Sequence, residues 1–100
     1  MIEGKTPSGF KYKLDERALD DWRLVDSLAK INRNKGNLMG QFDAVSEICD
    51  LLLGDSKDSL MEHIQKKNDG FIPADIVEKE LTDIIKSAKE IKNSQASPSS

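Results

Sequence analysis

Apolar residues between Leu14 and Ile31 recur with the period of an α-helix. The stripe that they form consists of Ala18, Trp22, Val25 and Ala29, widened on one side by Leu24, Leu28 and Ile31. A stripe this wide has more apolar surface than one neighbouring helix covers, so we expect two or more later segments to pack on it. Trp22 is expected to be the largest buried side chain of this helix.

The polar residues of the same segment predict its ends and its solvent face. The arc opposite the stripe is expected to face water and contains Arg23, Asp26, Ser27 and Lys30. Asp15, Asp20 and Asp21 are candidate N-caps, whose carboxylates accept the free amides of a first helical turn. The pattern predicts a short turn over residues 15–19 and a main helix from near Asp20 to Asn32.

Residues 1–14 predict a β-hairpin. Apolar residues alternate with lysines in F-K-Y-K-L (10–14), which is the period of a half-buried strand. The preceding T-P-S-G (6–9) is rich in turn residues, and a partner strand over residues 1–5 would complete the hairpin. An isolated hairpin is marginal in water, so we expect it to pack on the helices.

Three further helices are predicted after the polar loop 32–37. The second helix spans Leu38 to Leu53 and ends at Gly54, the third begins at a cap of Asp55 or Ser56 and ends at N-D-G (68–70), and the last runs from about Pro73 to Lys92. The stripe of the second helix consists of Leu38, Phe42, Val45, Cys49 and Leu52. The inward positions of the last helix are Val77, Leu81, Ile84, Ile85, Ala88 and Ile91.

These elements predict a mainly α fold, a small bundle of about four helices with an N-terminal β-hairpin. Residues 1–92 are expected to form a single domain that includes the hairpin (1–14), and the polar segment 93–100 is expected to be a disordered tail. The predicted core contains Trp22, Val25, Leu28, Leu52, Leu81 and Ile85.

Composition narrows the function classes. The chain of 100 residues has a net charge of −3, so it lacks the excess of Lys and Arg with which general nucleic-acid binders hold phosphates. A small basic loop of Lys30, Arg33 and Lys35 leaves a regulatory nucleic-acid binder as an alternative. The single cysteine excludes an internal disulfide, and neither a membrane-spanning apolar run nor a secretion signal is recognisable, so we expect a cytoplasmic protein.

Signatures of catalysis or of metal binding are missing from the sequence. One His and one Cys are too few for a zinc cluster, and the glycine spacing fits neither a dinucleotide-binding turn nor a P-loop. The segment N-D-G-F-I-P resembles the middle of a calcium loop, but alignment on Gly70 places Gln65, Lys67 and Ile76 at the ligand positions. We therefore expect a protein that is not an enzyme and that holds no metal or cofactor.

One short motif points to a different class of protein. The run Asp58-Ser59-Leu60, followed later by Ile72-Pro73, resembles the D-S-L and I-P segments of acyl carrier proteins. The intervening segment is several residues shorter here, and Met61 departs from the acidic residue usual in those proteins. A carrier-type module modified at Ser59 is the resulting alternative.

The order of motifs resembles a family of small phage and prophage proteins. These motifs are G-F-K-Y-K-L-D-E-R-A-L-D-D-W-R-L-V-D-S-L-A (9–29), V-S-E-I-C-D-L-L-L-G (45–54) and D-G-F-I-P (69–73). The chain is similar, over roughly residues 2–90, to the tail assembly chaperones of long-tailed phages that infect Gram-positive bacteria. The basic loop I-N-R-N-K-G-N (31–37) departs from the more acidic connection expected in relatives.

The resemblance implies a non-enzymatic function. Proteins of this family bind the long, largely helical tape measure protein, keep it soluble while the tail is built in the host cytoplasm, and are absent from the finished virion. The tail tube protein and further copies of the chain are additional implied partners. Many relatives also have a longer product of ribosomal frameshifting, which would extend the segment 93–100.

A protein of this type needs exposed apolar surface to hold its client. We expect apolar residues of the last helix to provide part of it, with Ile76 and Ile91 as the candidate partner-binding residues.

Overall fold

The computed structural model describes residues 1–95, and its first two elements are the strands β1 (Ile2–Lys5) and β2 (Lys11–Leu14) of an antiparallel hairpin. The buried residues Phe10, Tyr12 and Leu14 confirm the predicted alternation. Gly4 lies opposite Tyr12, and a side chain at position 4 would overlap the Tyr12 ring. The Tyr12 hydroxyl is therefore free to reach the last helix, where it donates a hydrogen bond to Ser87 Oγ at 2.7 Å.

A 3₁₀ helix (Glu16–Asp20) and the helix α1 (Trp22–Arg33) follow the hairpin, as the aspartates predicted. Asp15 and Asp21 are their N-caps, and each carboxylate accepts the backbone amide two residues further on. Asp21 also binds the Arg23 side chain, with Oδ2 at 2.7 Å from Nη2. The motif D-E-R-A-L-D-D-W thus contains two successive helix starts.

The buried face of α1 differs from the predicted one. Trp22 is 73% exposed and Val25 is 44% exposed, so the prediction that these two residues lie in the core is wrong. Ser27, assigned to the solvent face, is fully buried beside Leu24, and its hydroxyl donates to Glu47 Oε2 at 2.7 Å. The face is rotated because α1 packs chiefly on a single neighbour, which covers only one side of the wide stripe.

The remaining helices have nearly the predicted bounds. They are α2 (Leu38–Leu53), a 3₁₀ turn (Gly54–Ser56), α3 (Lys57–Lys67) and α4 (Ala74–Gln95). Gly54 ends α2 with a φ of 50°, a backbone conformation that favours glycine. Ser56 lies at the N-cap position of α3 but its side chain makes no capping hydrogen bond there. The last helix passes the predicted end at Lys92, while residues 96–100 of the predicted disordered tail lie outside the described part of the chain.

The fold is mainly helical with an N-terminal hairpin, as predicted. One apolar core joins the hairpin to α2, α3 and α4, and the predicted core residues Leu52, Leu81 and Ile85 are buried in it. Leu28 is partly buried and packs against the same core. The inward face of α4 is confirmed by the buried residues Val77, Leu81, Ile84, Ile85 and Ala88.

The cap of α1 makes its stability depend on pH. Hydrogen bonds from the Arg23 side chain, reinforced by the Arg23 amide, lower the pKa of Asp21 to about 2. Because the folded-state pKa lies below the ordinary value, the cap stabilises the fold above about pH 4 and is lost as the pH falls towards 2. We expect Arg23→Gln to raise the pKa of Asp21 towards its ordinary value, as measured by NMR titration of the carboxyl carbon.

The exposed Arg33→Gln is the matched control for this substitution, since Arg33 lies near Asp26 and not near Asp21. An Asp21 titration curve that is the same in both variants would contradict the assigned role of Arg23.

Candidate functional site

Large apolar side chains remain exposed in the described part of the chain. They are Met1, Trp22, Val25, Leu38, Met39, Phe42, Phe71 and Ile72. Five of the eight belong either to the first turns of α2 or to the link before α4. Exposed apolar residues that concentrate on one region are typical of a binding surface, whereas isolated ones are ordinary.

A surface depression lies between α2, α3 and the start of α4. We call it the apolar groove, and its lining residues are Phe42, Val45, Ser46, Cys49, Lys57, Met61, Ile72, Ala74 and Val77. Its volume is about 230 Å³. A cavity of about 150 Å³ already accommodates benzene, so the groove has room for one aromatic or two aliphatic side chains.

The groove results from the way in which α2 is covered. Its stripe repeats at helical spacing, and the inner residues Val45 and Cys49 are buried. The same stripe continues to Leu38, which is 62% exposed, and to the groove wall at Phe42. One face of α2 therefore packs in the core at one end and is exposed to solvent at the other.

Three residues of the groove lining have polar or ionisable side chains, namely Ser46, Cys49 and Lys57. Lys57 Nζ lies 3.0 Å from Asp50 Oδ1, and this hydrogen bond raises the pKa of Lys57. Burial raises the pKa of the Cys49 thiol, so this side chain is a neutral apolar part of the lining rather than a nucleophile. The groove is accordingly suited to apolar side chains and not to acid–base chemistry.

A second constellation joins the hairpin turn to α3 and α4. Glu80 is buried, and its Oε1 accepts hydrogen bonds from Thr6 Oγ1 at 3.0 Å and Ser8 Oγ at 2.6 Å. Ser8 Oγ also lies 3.0 Å from His63 Nε2. The His63 ring packs against Phe10 with 5.5 Å between the ring centroids.

Ser, His and Glu in contact suggest a catalytic triad, but the order of their hydrogen bonds is wrong for one. In a triad the base accepts the serine proton and the carboxyl group orients the base. Here Ser8 donates its proton to Glu80, so His63 Nε2 is the donor to Ser8. We interpret these residues as a polar clamp between the hairpin turn and the helices.

Residues 1–95 contain neither a metal-ligand cluster nor a membrane-spanning helix. No group of three or more His, Cys, Asp or Glu side chains in this range is arranged to hold a metal ion. None of the helices described combines the length and the apolar character needed to cross a bilayer.

The predicted partner-binding residues lie on the last helix, as expected, but are less exposed than expected. Ile76 and Ile91 are partly buried and pack against the core, so they are not among the exposed apolar residues of the molecule. Their contact with a partner stays a prediction. Phe42 belongs to the stripe predicted for the second helix, whereas Phe71 and Ile72 were not predicted to be exposed, although an apolar pair next to Pro73 is a recognisable signal.

The residues of the two alternative functions are also placed by the structure. Ser59 is exposed on α3. Two residues of the predicted basic loop, Lys30 and Arg33, belong to the last turn of α1 instead. Lys30 Nζ lies 3.5 Å from Glu47 and 3.6 Å from Asp26, and Arg33 lies 3.8 Å from Asp26. These acids offset part of the positive charge that a nucleic-acid contact would use.

Fold and site together define a mainly helical domain with an N-terminal hairpin and an apolar surface groove. Comparisons of the chain with protein-family models, with curated proteins and with solved structures find no match.

The polar clamp can be tested through Thr6. Thr6→Val keeps the shape of the side chain but removes a donor to Glu80 and the acceptor of the Phe10 amide, which lies at 3.2 Å. Because the site is buried, we expect a loss of about 1–3 kcal/mol in the free energy of unfolding, measured by chemical denaturation.

Thr82→Val is the control, since the Thr82 hydroxyl also makes a hydrogen bond but at an exposed position of α4. It should change the free energy of unfolding by less than about 0.5 kcal/mol. A loss for Thr6→Val below about 0.5 kcal/mol, as expected for the control, would contradict a stabilising role of the clamp.

Proposed function

We propose that this chain is a non-enzymatic tail assembly chaperone, which binds a phage tape measure protein and keeps it soluble while the tail is assembled. The observation that carries the proposal is the apolar groove together with the exposed apolar residues next to it, Leu38, Met39 and Phe71. A small acidic domain exposes such a surface at a cost in solubility, which a binding function would explain.

The physical basis of this activity is burial of apolar surface. A long amphipathic helix that has not yet reached its place in an assembly exposes its stripe to water and tends to aggregate. A protein that covers the stripe removes this driving force without any covalent step. The free energy available is about 25 cal/mol for each Å² of apolar surface that is buried.

A chaperone of this kind must also keep the complex with its client in solution, and its surface charge contributes to this. Charged residues make up 33% of the chain and its net charge is −3. A net charge of this size opposes association between like-charged complexes, so a bound client would share the solubility of the chaperone.

The order of elements supports the resemblance on which the proposal also rests. The motif D-E-R-A-L-D-D-W (15–22) contains the 3₁₀ helix and the start of α1, L-L-L-G (51–54) ends α2, and D-G-F-I-P (69–73) precedes α4. The same proposal places the chain in the cytoplasm of the bacterial host and not in the finished virion. It also includes contacts with the tail tube protein or with further copies of the chain.

Co-expression tests the function directly. A tape measure protein is produced alone, with this chain, or with an unrelated small acidic helical protein, and its soluble fraction is measured after centrifugation. We expect the soluble fraction to rise several-fold only with this chain, and the two proteins to elute together in size-exclusion chromatography. If the soluble fraction is the same in all three cases, the proposed function is wrong.

A further inference from the structure

We draw no further inference here: the strongest candidate, the apolar groove between α2, α3 and the start of α4, carries none because nothing in the structure of residues 1–95 shows what covers it.

Discussion

The packing of α2 against the other elements is the constraint on which this structure depends. Helix α2 contacts α1, α3, α4, β2 and the first 3₁₀ helix, so its circumference must serve several neighbours at once. Ala44, Ile48 and Leu52 are buried by this arrangement. In the first turns of α2 the Asn34 side chain packs against Gly40, but Leu38 and Met39 stay exposed, and Phe42 one turn later lines the apolar groove.

A buried polar clamp fixes the hairpin on this helical core. Burial of a carboxyl group is costly unless hydrogen bonds replace its hydration, and Thr6 and Ser8 provide them for Glu80. The residues joined are more than 70 positions apart in the chain. Since these bonds require a specific geometry, the clamp fixes the position of the hairpin turn on the helices. The Tyr12–Ser87 bond fixes β2 on α4 in the same way.

Local patterns predicted the elements well, because caps, glycines and prolines act within a few residues of their own position. The bounds of α2 and the inward face of α4 illustrate this. The packing of the elements on one another was harder to predict from the sequence. Periodicity shows which residues share a face, but the stripe of α1 is wide enough to be buried in two orientations. In the observed orientation Ser27 is buried and bonded to Glu47, and Trp22 is exposed. Glu80 gave no signal, since an acid in the first half of a helix is ordinary. The groove could not be predicted either, because it forms where three helices diverge in the folded structure.

The same tertiary arrangement connects stability with the proposed function. A groove that was filled from within would bury more apolar surface and add stability, at about 25 cal/mol for each Å². The side chains needed for this are present nearby, since Phe71 is 72% exposed beside the half-exposed Ile72. Their exposure is set by the short link, in which Asp69 and Gly70 both have positive φ and Pro73 restricts the backbone before α4. The backbone conformation of the link therefore holds these apolar side chains at the surface, and a binding partner would remove them from water.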